Sequence, residues 1–211
     1  KELNASVGVV VLMEVATGEV KAIVNMMQGK DGEYYEMRNN AISDMLEPGS
    51  TFKTASIMVA LEDGKITPDY VVDTGNGQMP MYGRVMKDHN WHRGGYGKLT
   101  VSHIRYSSTL PWMSIGYETQ VPPINILTFY NGIANNGVSV RPKFVKAAVK
   151  DGEVVKEYPT EVINPKICSD KTLAQIREIL RKVVGEGLAK PAGSKQFHVS
   201  GKTGTAQISQ G

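Results

Sequence analysis

At 211 residues, 41% hydrophobic and 21% charged, the chain is long and apolar enough to bury a substantial core, as one large domain or two small ones. A net charge of +3, without a run of basic residues or a basic stripe interleaved with aromatics, excludes nucleic acid as a partner. No stretch approaches about 18 apolar residues, no signal peptide opens the sequence, and the single Cys168 excludes an internal disulfide.

Val7 to Glu14 is a β-branched run of strand length, and Ala16-Thr17-Gly18 reads as a turn. Glu19 to Asn25 then alternates, with Val20, Ala22 and Val24 on one side, so the start of the chain predicts a β-hairpin. Met27 to Asn40 is polar and contains glycine, which predicts a loop.

Glu47-Pro48-Gly49-Ser50-Thr51-Phe52-Lys53 follows. Pro48 and Gly49 break the preceding segment, and Phe52 to Leu61 is apolar enough to predict a buried helix ending near Asp63-Gly64, with Gly64 as its C-cap. Ser50 sits at the first turn and Lys53 three residues on, so both side chains lie on one face. A lysine in an apolar helix is costly to keep charged, and a serine beside such a base is what acyl chemistry requires. Read locally, the same two residues equally fit an N-cap serine and a lysine that reaches out to water.

Thr67 to Lys98 is rich in glycine and predicts loops with weak strand signals. Asp88, His89 and His92 lie close together, but their spacing matches no standard ligand set, and surface polar residues are the expectation. Leu99 to Tyr106 predicts a short helix capped by Thr100 and ending at Ser107-Ser108, with His103 a structural histidine. Pro122-Pro123 starts a helix over Ile124 to Asn135, stopped by Asn136-Gly137. Val138 to Tyr158 predicts a second hairpin folded at Asp151-Gly152. Ser169-Asp170 caps a helix from Lys171 to about Val184, whose Leu173, Ile176, Leu180 and Val183 recur at helical spacing as core. Phe197 to Ile208 reads as a strand carrying Lys202-Thr203-Gly204-Thr205.

Three pieces stand together: Ser50-x-x-Lys53 opening a helix, Ser107 ending one, and Lys202-Thr203-Gly204 near the end. A Ser-x-x-Lys match is expected about once by chance in a chain of this size, whereas Lys-Thr-Gly arises in only a few chains in a hundred. Each occurs here in the same order as in the transpeptidase domain of class B penicillin-binding proteins, which the chain resembles. The resemblance extends to Glu14-Val15-Ala16-Thr17-Gly18-Glu19-Val20-Lys21-Ala22-Ile23, Leu99-Thr100-Val101, Ser114-Ile115-Gly116-Tyr117-Glu118 and Gly201-Lys202-Thr203-Gly204-Thr205-Ala206-Gln207, spanning nearly the whole chain. Leu99-Thr100-Val101 and Asp73-Thr74-Gly75 lean towards the division (septal) type rather than the elongation type.

The resemblance implies an α+β fold, an antiparallel sheet flanked by helices with an all-helical subdomain and the active site between them. It implies a D,D-transpeptidase that cross-links peptidoglycan stem peptides ending in D-Ala-D-Ala and is acylated by β-lactam antibiotics. It further implies a glycosyltransferase partner in the cell-wall machinery, and a place on the extracytoplasmic face of the membrane through an anchor that this chain lacks. No cofactor or metal is implied. Ser50 would be the nucleophile, Lys53 its base and Ser107 a proton relay. Lys202, Thr203, Gly204 and Thr205 would bind the substrate carboxylate, and the N–H groups of Ser50 and Thr205 would form the oxyanion hole. A serine β-lactamase, a β-lactam sensor and a non-catalytic fragment are the alternatives; the long blocks favour the transpeptidase.

Two departures from the family pattern stand out. Its second motif is Ser-x-Asn, but Ser107-Ser108 is followed here by Thr109. The following Leu110 to Tyr117 resembles a block that the family places several tens of residues later, which predicts a gap near 108–109. The chain also ends soon after Lys-Thr-Gly, where the family continues with further strands, and it lacks the N-terminal pedestal. A longer parent protein is the expectation, with the 211-residue form impaired.

Overall fold

The structure is a computed structural model that describes residues 2–81, 84–88, 90–101, 116 and 119–205. In chain order the strands are β1 (Val7–Met13), β2 (Val20–Gln28), β3 (Tyr34–Glu36), β4 (Val71–Asp73), β5 (Gln78–Met81), β6 (Arg84–Lys87), β7 (Lys98–Thr100), β8 (Ser139–Val140), β9 (Ala147–Lys150), β10 (Glu153–Glu157) and β11 (Val162–Asn164). The α-helices are α1 (Asn40–Ser43), α2 (Lys53–Glu62), α3 (Pro123–Ala134) and α4 (Asp170–Gly185). Helices and antiparallel strands are both present, as an α+β fold requires. None of the described helices is long and apolar enough to cross a membrane.

The chain forms two compact units. One takes in Lys1–Leu46 and Gln120–Ile167, the other Glu47–Thr119 and Cys168–Gly211.

In the first unit the expected hairpin is β1–β2, with Val10 opposite Val24 and Leu12 opposite Ala22. The predicted loop over 27–40 is instead partly ordered structure. β2 runs on to Gln28, and Tyr34–Glu36 pairs antiparallel with Met26–Gln28, because the second edge of β2 offers free backbone groups that an aromatic segment can use. One face of the sheet packs on α1 and α3, where Met13, Ala41, Ile124 and Ile133 are buried. Polar ties fix the packing: the Ala41 N–H donates to Asn25 Oδ1 (3.0 Å) and Asn131 Nδ2 to the Val15 carbonyl (3.0 Å). α3 has the predicted limits, with Pro123 at its first position and left-handed Asn136 (φ 54°) and Gly137 (φ 83°) beyond its end. The second hairpin is shorter than predicted. β9 and β10 turn at Asp151 (φ 53°) and Gly152 (φ 86°), the pair of left-handed residues that a tight hairpin needs. β8 breaks away from it before Pro142 and pairs with β11.

The second unit is built on α2 and α4, which pack together. Ser169 caps α4 as expected, its Oγ accepting the Thr172 N–H (3.2 Å) and donating to Glu62 at the end of α2 (2.7 Å). Leu173, Ile176, Leu180 and Val183 form the buried stripe of α4. Ile176 is 1% exposed, and Ile176→Ala is expected to cost about 2–5 kcal/mol of stability by leaving a cavity, read from the urea-unfolding midpoint. α2 is less buried than predicted: Thr54, Met58 and Leu61 face the core, but Val59 is 60% exposed. It ends as expected, with Gly64 left-handed (φ 65°) and the Gly64 and Lys65 N–H groups donating back to Leu61 and Ala60.

Four further expectations are corrected in this unit. The 67–98 stretch is not all loop: β5 and β6 form a hairpin, and β4 pairs with β7. Leu99 and Thr100 are therefore strand rather than helix, because β4, far back in sequence, supplies the ladder; residues 102–108 of that prediction, with His103 and Ser107, lie outside the described residues. Asp88 is not a surface residue. It is 6% exposed, its Oδ1 accepts the Asn90 N–H (2.7 Å), and it lies over Gly77, where an added Cβ would come within 2.6 Å of the carboxylate. Finally, residues 197–205 form no strand. Val199 packs on the Val183–Val184–Ala189 cluster, and the Gly201 N–H donates to the Leu180 carbonyl of α4 (3.2 Å), so the segment runs along a helix.

Candidate active site

The site lies within the second unit, at the start of α2. Pro48 (φ −67°) and left-handed Gly49 (φ 52°) turn the chain into a single 3-10 turn, Gly49–Thr51, and Phe52 is the N-cap of α2. Ser50 is inside that turn and caps neither helix: the cap positions belong to Pro48 and Phe52, and neither helix start has a side-chain cap bond. The N-cap reading left open by the sequence therefore falls away. Neighbouring groups hold the turn closed. Thr51 Oγ1 donates to the Pro48 carbonyl (2.6 Å) and the Phe52 N–H to the Gly49 carbonyl (2.9 Å).

Lys53 is the first residue of α2, one turn after Ser50, and is half-buried. Burial holds its ammonium below the usual lysine range, because desolvation penalises the charged form. Lys202 is half-buried as well, and its Nζ donates to the Thr203 carbonyl (2.7 Å). Burial, with repulsion from the Lys53 ammonium added, brings it down to about 8. Two lysines from distant parts of the chain thus share one electrostatic neighbourhood.

The Lys-Thr-Gly segment touches the serine turn directly. A Cβ on Gly204 would lie 2.8 Å from Thr51 Cγ2 and 3.7 Å from the Pro48 carbonyl oxygen, so glycine permits this approach. Thr203, Gly204 and Thr205 are exposed. The structure therefore brings together Ser50, Lys53 and residues 202–205, while Ser107 lies outside the described residues. His89 lies outside them too, and no group of three metal-ligating side chains occurs among those described. The residue that the sequence reading missed is Gly116, whose carbonyl accepts the Gly49 N–H (3.2 Å). It sits in the quoted Ser114–Glu118 block, but nothing local in that block points to a backbone contact.

Known proteins resemble this chain. The penicillin binding protein transpeptidase domain family matches residues 8–112 and 105–211. The chain is 28% identical to penicillin-binding protein PbpB of Mycobacterium tuberculosis, over 93% of this chain and 38% of that protein. It is 24% identical to the peptidoglycan D,D-transpeptidase FtsI of Buchnera aphidicola, over 97% of this chain and 44% of that protein. It therefore spans less than half the length of these curated relatives. The D,D-transpeptidase domain of a peptidoglycan glycosyltransferase from Eggerthella lenta has the same fold, with a TM-score of 0.80 at 20% identity, covering 98% of this chain and 68% of that one. Since the family match runs through both the serine turn and the Lys-Thr-Gly segment packed on it, the chain belongs to the penicillin-binding protein transpeptidase domain family.

Proposed function

We propose that the chain is the acyl-accepting part of a peptidoglycan D,D-transpeptidase, with Ser50 as nucleophile. The observation that carries this reading is the pair of desolvated lysines beside the Ser50 turn, with Lys-Thr-Gly seated on that turn. Ser50 Oγ attacks the carbonyl of the penultimate D-Ala while Lys53 takes its proton. The N–H groups of Ser50 and Thr205 receive the oxyanion, and Lys202, Thr203 and Thr205 hold the terminal carboxylate. Ser107 passes a proton to the leaving amine, D-Ala departs, and the amine of a second stem peptide takes the acyl group from Ser50. A β-lactam enters the same step, but its opened ring stays attached. The parent acts at the cell wall, with a glycosyltransferase partner and a division-type role supported by Leu99-Thr100-Val101.

An internal gap at 108–109 belongs to this reading. The family model matches twice, the two matches meeting at 105–112. The alignment with PbpB runs over 261 positions, although 93% of 211 residues is about 196, so about 65 positions have no residue here. Such a gap would remove the Asn of the second motif.

Incubation with a labelled penicillin, followed by mass spectrometry, tests the function and gives the intact mass. A stable adduct on the Ser50 peptide, absent from Ser50→Ala, is expected. A complete chain that takes no label overturns the transpeptidase reading.

A further inference from the structure

Gly49 opens the turn that carries Ser50, and its N–H stands at a helix start, where donors lack partners within the helix. Its acceptor is the Gly116 carbonyl, 3.2 Å away and far along the chain. Gly116 is buried and left-handed (φ 84°), and a Cβ on it would lie 2.4 Å from Gly49 O and 2.6 Å from Gly49 N. The two backbones therefore touch in a way that only glycine allows at position 116. Gly204 presses on the same turn through Thr51. The nucleophile turn is thus gripped at two points, and Gly116 grips the residue immediately before Ser50.

We propose that Gly116 is a positioning residue for acylation: its carbonyl and bare Cα set the Gly49–Ser50 backbone, and with it the direction of Ser50 Oγ and N–H. This rests on the reading of Ser50 as nucleophile. Any side chain at 116 meets backbone atoms, which cannot swing aside as a flexible side chain would, so the turn itself must move. A misplacement of about 1 Å at a reacting group costs about 10²-fold in rate. The contact does not involve Lys202, so encounter binding of the ligand is spared.

The test is Gly116→Ala, with the time course of penicillin labelling followed at several concentrations to separate non-covalent affinity from the acylation step. The acylation rate constant is expected to fall about 10²-fold, with affinity changed by less than about threefold. Gly75→Ala is the control: Gly75 is in the same unit and left-handed (φ 51°), but an added Cβ there meets nothing within 4 Å. It adds the same methyl group at a left-handed glycine without the steric contact and is expected to acylate at the wild-type rate. A folded Gly116→Ala that acylates like wild type, or loses no more than Gly75→Ala, overturns the proposal. Should Gly116→Ala not fold, hydrogen exchange of the Gly49 amide in the unmutated chain decides: protection supports the contact, and exchange at the rate of an unstructured amide overturns it. That measurement needs no chemistry. An unmutated chain that takes no penicillin while Gly49 stays protected overturns the Ser50 reading, and the positioning role with it, but leaves the contact itself intact.

Discussion

Lys53→Ala is expected to slow acylation of Ser50 by about 10²- to 10⁴-fold, the span that a positioned general base supplies. Lys53 stands one turn after Ser50, at the first position of α2, and burial lowers its affinity for a proton. An unperturbed lysine would be almost wholly protonated at neutral pH and could accept nothing from the serine hydroxyl. Desolvation raises the fraction present as free amine. Lys53→Arg separates this role from a merely structural one. Arginine keeps the positive charge and much of the stem, but it does not give up its proton in the working range. Both variants are therefore expected to fold, by thermal melting, and to label slowly. A Lys53→Arg protein that takes penicillin at the unmutated rate would sink the base role and leave Lys53 as a positive charge only.

What could be read from the sequence follows the range of the interactions involved. β1–β2, α3, α4 with its Ser169 cap, and the Asp151-Gly152 turn are each specified by residues close together in the chain, and the structure has them close to where periodicity and turn chemistry put them. The serine turn and the buried lysine were legible for the same reason, since three residues of spacing at a helix start decide both. β3, β4 and β7 were missed because each depends on a partner strand that no local pattern announces. Residues 197–205 show the opposite error. Their composition suits a strand, but the Gly201 N–H finds the Leu180 carbonyl of α4 instead. Asp88 has the composition of a surface loop and is buried because Gly77 makes room for its carboxylate. Gly116 is the most instructive miss: it supplies a carbonyl and the absence of a side chain, neither of which has a sequence signal.

Lys202→Met tests whether the two lysines act as a pair. In the unmutated protein Lys202 is brought down to about 8 by burial and by the Lys53 ammonium, and burial lowers Lys53 as well, so both amines give up a proton below the ordinary lysine range. One free amine and one ammonium is the state that the chemistry needs, the first to accept the serine proton and the second to face a carboxylate. A bound substrate carboxylate beside Lys202 draws the remaining proton to it and leaves Lys53 free. Acylation is therefore expected to rise with pH through an inflection below the ordinary lysine range. Removing the Lys202 charge removes its repulsion on Lys53, so Lys53 keeps its own proton to higher pH and the rising limb moves to higher pH. At pH 7 the variant loses on two counts. Fewer molecules hold Lys53 as free amine, and the ligand carboxylate has lost its cation, which alone is worth about 10- to 10²-fold in kcat/KM. Lys202→Arg restores a permanent positive charge and is expected to recover the carboxylate contact while holding the rising limb low. If the limb stays in place in Lys202→Met, or moves to lower pH, the two amines do not share the proton, and the free amine at Lys53 must arise from burial alone.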